Sequence, residues 1–376
     1  MNERLSVYVH IPFCIRKCRY CDFVSGPADE EVQKEYFYAL FNEIELTGAE
    51  SAGKNVCTVY IGGGTPTCVA PSYIEQTLCK LKENFNITDD AEISIEMNPG
   101  TADIGKIRSY VSCGVNRVSI GLQSADDGEL KKLGRIHTYA DFLKAYEDAR
   151  NAGIHNINID IMSSLPGQTP ESYENTLVKV TELQPEHISA YSLIIEKGTE
   201  FGRLSEKELD LPDENEDTLI DALTGKILTE SGYHRYEISN YALRGKECRH
   251  NLVYWDRGDY AGLGLGAASM INDIRYSNTD NLREYISGSG RIRKNVQILT
   301  KRECMEEFMF LGLRKTDGIS RESFRKNFGA DIYEIYGDVI RRQNKQGMLI
   351  NEGDRLHFND RGLEVSNILM SEYLFQ

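Results

Sequence analysis

Between residues 92 and 162 the chain alternates apolar and polar side chains along three successive strand-like runs. Ile93, Ile95 and Met97 share one face, with Ser94, Glu96 and Asn98 on the other. Val118, Ile120 and Leu122 oppose Ser119, Gly121 and Gln123, and Ile157, Ile159 and Ile161 oppose Asn158 and Asp160. Successive side chains of a strand point to opposite faces, so each run has one apolar and one polar side. Residues 5–11, 58–61 and 187–193 also read as strands, making six from residue 5 onward. Helical patterns lie between them. One covers 32–47, with Phe37, Leu40, Phe41 and Ile44 at helical spacing; another covers 170–183, with Tyr173, Leu177 and Val180. Alternating strands and helices predict a parallel α/β architecture with right-handed crossovers and the helices outside. Parallel strands buried on both faces read as continuous apolar runs. These do not, and a closed barrel would fill its interior with branched apolar side chains. The polar faces therefore predict an open barrel around a polar ligand, with its site at the C-terminal strand ends. Solvated faces of an antiparallel sheet are the alternative, which fits poorly with the intervening helices.

Directly after the first strand comes Cys14-Ile-Arg-Lys-Cys18-Arg-Tyr-Cys21. Three thiols this close make no sensible disulfide framework, but they can converge on a metal centre. An iron–sulfur cluster usually takes four cysteines, so three would leave one iron open to a substrate or cofactor. Surface thiols, or a zinc knuckle short of one ligand, are the competing readings. Cys57, Cys68, Cys79, Cys113, Cys248 and Cys304 are scattered and read as small, mostly buried hydrophobes. Cys248 stands out because it precedes His250 by two residues. After the second strand, Gly62-Gly63-Gly64-Thr65-Pro66 allows a ligand to approach the backbone closely and exposes main-chain donors.

The C-x3-C-x2-C spacing resembles that of the radical S-adenosylmethionine (SAM) proteins. The resemblance implies a [4Fe–4S] cluster on Cys14, Cys18 and Cys21, with SAM beside the open iron. It places Gly63, Gly64 and Thr65 near the amino group of SAM. It aligns Glu96, Gln123, Arg135 and Asp160 with residues that hold its ammonium, carboxylate and ribose hydroxyls. The residues themselves agree: Glu96, Gln123 and Asp160 are inward members of successive strands, and a zwitterion with a diol needs a carboxylate, a guanidinium and neutral donors. A buried salt bridge is the other reading of Glu96 and Asp160. Tyr8 and Tyr20 either pack against the cluster and SAM or are core aromatics.

A second motif, His250-Asn251-Leu-Val-Tyr254-Trp255, contains the only Trp of the chain. With the cysteine and glycine motifs it is similar to the haem chaperone HemW family, relatives of oxygen-independent coproporphyrinogen III oxidase, over nearly the whole length. That resemblance implies haem binding and delivery to apo-haemoproteins such as respiratory enzymes. It makes His250 the candidate haem ligand, although Tyr and Cys also ligate haem iron. The oxidase branch carries a further Cys where this chain has Phe23, and a longer N-terminal extension. Ser163-Ser164 departs from the Tyr-Gly common in the family. The alternative function is a radical enzyme acting on a porphyrin, such as one that decarboxylates coproporphyrinogen III through a 5′-deoxyadenosyl radical. No catalytic residue is assigned.

These readings predict an open parallel (β/α)6 partial barrel of radical SAM type with a small winged-helix-like α+β domain after it. The domains are expected at 1–232 (core), 233–299 (an extension carrying the HNxxYW motif) and 300–376. The acidic stretch 206–221 reads as a linker into a helix starting near Asp213, 233–241 as an extra strand, and the glycine run 262–269 as a tight turn. The last segment shows helices at 301–313, 321–327 and 332–347, a hairpin at 348–359 and a final helix. Winged helices often bind DNA, but from Thr300 onward 12 Lys and Arg face 13 Asp and Glu. That lacks a basic footprint, and the whole-chain charge of −15 disfavours nucleic acid or anionic lipid as a partner. No apolar run of about 18 residues predicts a membrane span, and residues 1–13 do not read as a signal peptide, so a cytoplasmic protein is expected. A homodimer and a membrane-associated partner stay open.

Overall fold

The computed structural model describes residues 3–374. The six expected strands are present as β1 (Arg4–Ile11), β2 (Asn55–Gly63), β3 (Asn86–Met97), β4 (Arg117–Gln123), β5 (Ile157–Ser163) and β6 (His187–Ser192). They pair in that order, all parallel. Five crossovers supply α1 (Glu30–Glu50), α2 (Pro71–Asn84), α3 (Ile104–Ser112), α4 (Asp127–Lys132), α5 (Tyr139–Asn151) and α6 (Pro170–Glu182). Local chemistry starts these helices. Asp29 accepts from the Val32 amide at the head of α1, and Thr138 with Asp141 and Thr169 with Ser172 close capping boxes on α5 and α6. The outward apolar residues of the strands, including Val59, Ile95, Ile120 and Ile159, lie in one core with Phe37, Leu40, Leu78, Phe142 and Leu177 of the helices.

The polar faces turn inward as expected, and away from the C-terminal strand ends they are closed off from solvent. Glu92, Ser94, Arg117, Ser119, Asn158 and His187 are all buried. Buried polar groups are tolerable when hydrogen-bonded. Asn158 Nδ2 donates to Ser119 Oγ and Asp160 Oδ1, both at 2.7 Å, and its Oδ1 lies 2.6 Å from His187 Nδ1.

Beyond β6 the chain forms α7 (Glu206–Leu209) and α8 (Glu214–Glu230); Asp213 caps α8 in a capping box with Glu216, near the expected start. The expected single strand at 233–241 is instead a hairpin, β7 (His234–Arg235) and β8 (Asn240–Ala242), antiparallel and added beyond β6. The chain then breaks into α9 (Arg249–Trp255), which carries the HNxxYW motif. On the opposite edge β9 (Tyr260–Leu263) runs parallel to β1, followed outward by β10 (Ala268–Ile271), β11 (Ile274–Asn278), the helix α10 (Leu282–Ser287) and β12 (Arg293–Ile298). The sheet thus has twelve strands. The glycine run is partly β9 and partly a turn: a Cβ on Gly262 would lie 2.1 Å from the Ala268 carbonyl oxygen, so only glycine lets the two strands meet there.

The C-terminal segment builds α11 (Lys301–Gly312), β13 (Ile319–Ser320), α12 (Arg321–Phe328), α13 (Ile332–Lys345), β14 (Leu349–Glu352) and β15 (Arg355–Phe358). The expected last helix is two short ones, α14 (Asp360–Glu364) and α15 (Ser366–Ser371), and β13 makes the hairpin a three-stranded sheet. Met309, Leu313, Phe324, Ile340, Leu356 and Met370 form an apolar cluster of their own, which also takes in Met270 of β10. Among the described residues no helix is long and apolar enough to cross a membrane.

Candidate functional site

A cavity of about 470 Å3 opens at the C-terminal ends of the strands. Eleven of the expected site residues line it: Cys14, Cys18, Cys21, Tyr20, Gly63, Gly64, Thr65, Glu96, Gln123, Arg135 and Asp160. Tyr8 and His250 do not. Its volume suits one small ligand of cofactor size.

The cysteine loop is fixed by backbone geometry. Cys14 N–H donates to the Gly26 carbonyl at 3.1 Å, Gly26 N–H to Pro12 at 2.9 Å, and Cys21 N–H to Cys18 at 3.2 Å. Arg19 pairs with Glu200 at 2.7 Å and lies over the Phe201 ring. The glycine loop is locked to it: Gly64 N–H reaches the Ile11 carbonyl at 2.9 Å and Thr65 N–H the Phe13 carbonyl at 2.7 Å. A Cβ on Gly64 would lie 2.6 Å from the Phe13 oxygen and 2.8 Å from Cys14 Sγ. Gly63 sits at φ +115°, and a Cβ there would meet the His10 ring at 2.6 Å. Gly64 is therefore required by the close approach of the two loops, and Gly63 by its positive φ beside the His10 ring of β1.

Among the described residues no three His, Cys, Asp or Glu side chains are grouped to hold a single metal ion. A four-iron cluster takes one thiolate per iron, so its ligands stand farther apart than those of a mononuclear site. The donor set fits such a cluster: three half-buried thiols face one space, Thr65 Oγ1 donates towards Cys14 Sγ at 3.9 Å, and Arg135 Nη1 towards Cys18 Sγ at 3.6 Å. Burial pushes the Cys14 thiol pKa up, which disfavours the free thiolate until a metal replaces the proton.

Across the cavity the groups fit a zwitterion. Glu96 Oε2 accepts from the Gly63 amide at 3.0 Å, and Oε1 from the Tyr60 hydroxyl at 3.1 Å. Burial, followed by the repulsion of Asp160, raises Glu96 to about 7. Asp160 is raised by burial too, and accepts from Ser119 at 2.9 Å and Asn158 at 2.7 Å. Two half-buried carboxylates facing one space favour a cation. Arg135 donates Nη2 to the Gly121 carbonyl (2.7 Å) and Asn98 Oδ1 (3.0 Å), while its buried Nε has no partner within the protein. An orphaned guanidinium donor suits an incoming carboxylate. Gln123 accepts from the Tyr191 hydroxyl at 3.1 Å and sits at φ +73°, where β4 and β5 slip register. A non-glycine residue there carries roughly 1–3 kcal/mol of strain, a feature that clusters at binding sites.

Tyr8 lies below the cavity. Its hydroxyl is 3.0 Å from His10 Nδ1, and its ring stacks on Tyr60 with centroids 6.3 Å apart. His250 is only 1% exposed and belongs to a plug at the N-terminal end of the barrel. Thr58 donates to Ser6, so its oxygen accepts from His250 Nδ1 at 2.8 Å; His250 Nε2 then accepts from the Tyr254 hydroxyl at 2.9 Å. The amides of Arg249 and His250 both donate to Glu92, which also accepts from the Cys248 thiol. Burial, aided by Arg117, lowers His250 to about 3, so it is neutral. With both ring nitrogens engaged, this arrangement leaves no lone pair for an iron. Cys248, raised to about 12 by burial, is equally enclosed.

Tyr60, Tyr191, Asn98 and His137 line the cavity without having been singled out as ligand contacts. Tyr60 follows the inward period of β2, a signal available in the sequence; His137 does not, because it comes from the loop after α4. Ser164, in the departing Ser-Ser pair, has φ +57° and donates to Asp217 at 2.8 Å. Glycine is free in that conformation, and here a side-chain hydrogen bond offsets the strain.

The Radical SAM superfamily profile matches residues 8–180, and the HemN C-terminal domain profile matches 299–365. The protein named haem chaperone HemW from Lactococcus lactis subsp. lactis (strain IL1403) is 35% identical over 371 residues, covering 98% of this chain and 97% of its own. The chain belongs to the haem chaperone HemW family. The Escherichia coli (strain K12) member is also 35% identical, with 98% of each chain covered. The solved structure of coproporphyrinogen III oxidase (HemN) from Escherichia coli, described as a radical SAM enzyme, superposes with a TM-score of 0.87 at 25% identity, over 99% of this chain and 90% of that one. The family implies a [4Fe–4S] cluster and SAM, for which the cavity's donor set fits.

Proposed function

We propose that this protein is a haem chaperone. The observation that carries the reading is the meeting of three thiols with Glu96, Asp160 and Arg135 in one cavity, in a chain matched end to end by HemW relatives. Cys14, Cys18 and Cys21 hold the cluster. Gly63, Gly64, Thr65 and Glu96 receive the ammonium of SAM, Arg135 its carboxylate, and Asp160 with Gln123 the ribose hydroxyls. Tyr20 packs beside the cluster. A bound cluster and SAM supply redox and radical chemistry; the protein supplies orientation and excludes water. The acceptors are apo-haemoproteins such as respiratory enzymes, including membrane-associated ones, met from the cytoplasm. The chain divides functionally at 1–232, 233–299 and 300–376, the middle part extending both edges of the sheet and packing His250 of α9 against β2 and β3.

Likeness to the HemN structure favours one second reading, decarboxylation of coproporphyrinogen III. Phe23 stands where that branch has a fourth nearby Cys. The test reconstitutes the cluster anaerobically, titrates haem by its Soret band, and presents an apo-haemoprotein. Haem uptake with transfer is expected. Robust formation of protoporphyrinogen from coproporphyrinogen with dithionite and SAM would replace the chaperone with the oxidase.

A further inference from the structure

Arg117 lies behind the cavity lining and is among the largest fully buried side chains of the protein, 2% exposed. It opens β4 on the inward period, two residues before Ser119, and pairs with Ser94 of β3. Ser94 stands between Glu92 and Glu96 on that inner face, so Arg117 joins the barrel interior at the level between those two acids. Its Nε has no hydrogen-bond partner within the protein, and neither has Ser94 Oγ opposite. Glu92 is already engaged, accepting from the Cys248 thiol and the Arg249 and His250 amides. An arginine is not deprotonated in a protein, and a buried cation is costly unless negative charge nearby compensates it. On the cavity side that charge is Glu96 and Asp160. Burial, then Asp160, raises Glu96, and burial raises Asp160; Arg117 opposes both shifts. The other titratable groups facing this space are uncharged. Burial pushes the hydroxyls of Tyr8, Tyr20, Tyr60, Tyr191 and Tyr236 up and the Cys248 thiol up to about 12. It pushes His187 and His250 down. Two guanidinium cations, Arg117 and Arg135, thus face three carboxylates, Glu92, Glu96 and Asp160, leaving one negative charge. SAM carries one net positive charge, its ammonium and sulfonium against one carboxylate.

We infer that Arg117 is a positioning residue for SAM: without touching the ligand, it holds Glu96 and Asp160 as carboxylates and sets the barrel interior to the charge that SAM neutralises. The inference rests on the proposed SAM site. With Arg117 removed, a proton on Glu96 or Asp160 takes over its part, and the ammonium loses its partner.

The test uses the full-length, cluster-reconstituted protein. SAM affinity is measured by equilibrium dialysis from about pH 6 to about pH 9 for the wild type, Arg117→Met, Arg117→Gln and Arg117→Lys. Far-UV circular dichroism and iron content report folding and loading. Wild-type affinity should fall as pH drops through about 7. In the two neutral variants the fall should begin about one pH unit or more higher, the effect of losing a buried unit charge. Their binding should be roughly tenfold weaker at about pH 7 and within roughly threefold of wild type at about pH 9. Recovery at high pH separates a charge effect from a packing defect, which weakens binding at every pH. Arg117→Lys should return the fall to the wild-type position. A fall that stays near 7 in the neutral variants, or affinity lost evenly across pH, would overturn the role of Arg117 and leave the SAM site standing. Failure of both neutral variants to fold would make Arg117 a stability residue, which also overturns it. A wild type that binds no SAM would remove the SAM site and this role together.

Discussion

Tyr60 donates its hydroxyl to Glu96 at 3.1 Å while its ring lies 5.2 Å from that of His250. One side chain thus joins the barrel plug to the carboxylate on the cavity wall. Tyr8 completes the layer, with its centroid 6.4 Å from His250. The HNxxYW helix therefore acts on the cavity through packing. This packing suits a positioning role for His250, distinct from iron ligation.

His250→Ala removes a buried ring and leaves Thr58 and Tyr254 without their partner. The expected destabilisation is about 2–5 kcal/mol, read by urea denaturation. SAM binding should weaken because Tyr60 loses its support, while the haem Soret spectrum keeps its shape and stoichiometry. Loss of that spectrum in a folded variant would restore His250 to the ligand list.

If Glu96 receives the ammonium as proposed, it is expected to set a pH limit on SAM binding. Its value of about 7 reflects burial and the proximity of Asp160, with Tyr60 and Arg117 also nearby. A protonated carboxyl does not attract an ammonium, so SAM affinity should fall as pH drops through 7. The sign for stability is opposite. Between about 4.5 and 7 the folded state binds more protons at this group than the unfolded chain, so its contribution to stability grows as pH falls. Glu96→Gln should flatten the affinity profile and weaken binding roughly tenfold or more, the scale of a charged hydrogen bond. Equilibrium dialysis across pH checks both.

Gly64→Ala pushes a methyl group into the Phe13 carbonyl and Cys14 Sγ. Relief requires one loop to move, at about 1–3 kcal/mol. Iron and sulfide bound per chain after anaerobic reconstitution should fall below wild type. Full incorporation would show that the two loops are not locked together.

Arg135→Lys keeps the charge and loses the fork that spans Asn98, Gly121 and Cys18. An ammonium cannot reproduce three donors in one plane. SAM affinity should drop roughly tenfold, equivalent to about 1.4 kcal/mol, as measured with the cluster in place.

Much of the barrel is legible from residue patterning. The six inner strands show because a buried polar face opposite an apolar one imposes a period of two. Strand ends are less visible. The strand is read from residue 92 onward, yet Asn86 and Ile87 pair with Asn55 and Val56 and extend β3. β9 hides in a glycine run because its reason for being a strand is β1, more than 250 residues earlier in the chain. The segment 233–241 reads as one strand and becomes two short ones because Tyr236 turns inward to meet His187, 2.8 Å away.

The sequence by itself determined the chemistry of the cavity: three thiols at fixed spacing, glycines where a backbone must come close, and carboxylates on the inward period of successive strands. Those are local constraints, written within one turn or one strand. Only the tertiary structure decided which groups reach the cavity. In the sequence His250 stands as a candidate haem ligand. In the fold, Thr58, 192 residues away, takes one of its nitrogens, and its own helix supplies Tyr254 to the other. Spacing can place a side chain on a face, but whether it binds a ligand or seals a core depends on distant partners, and only packing brings those within reach.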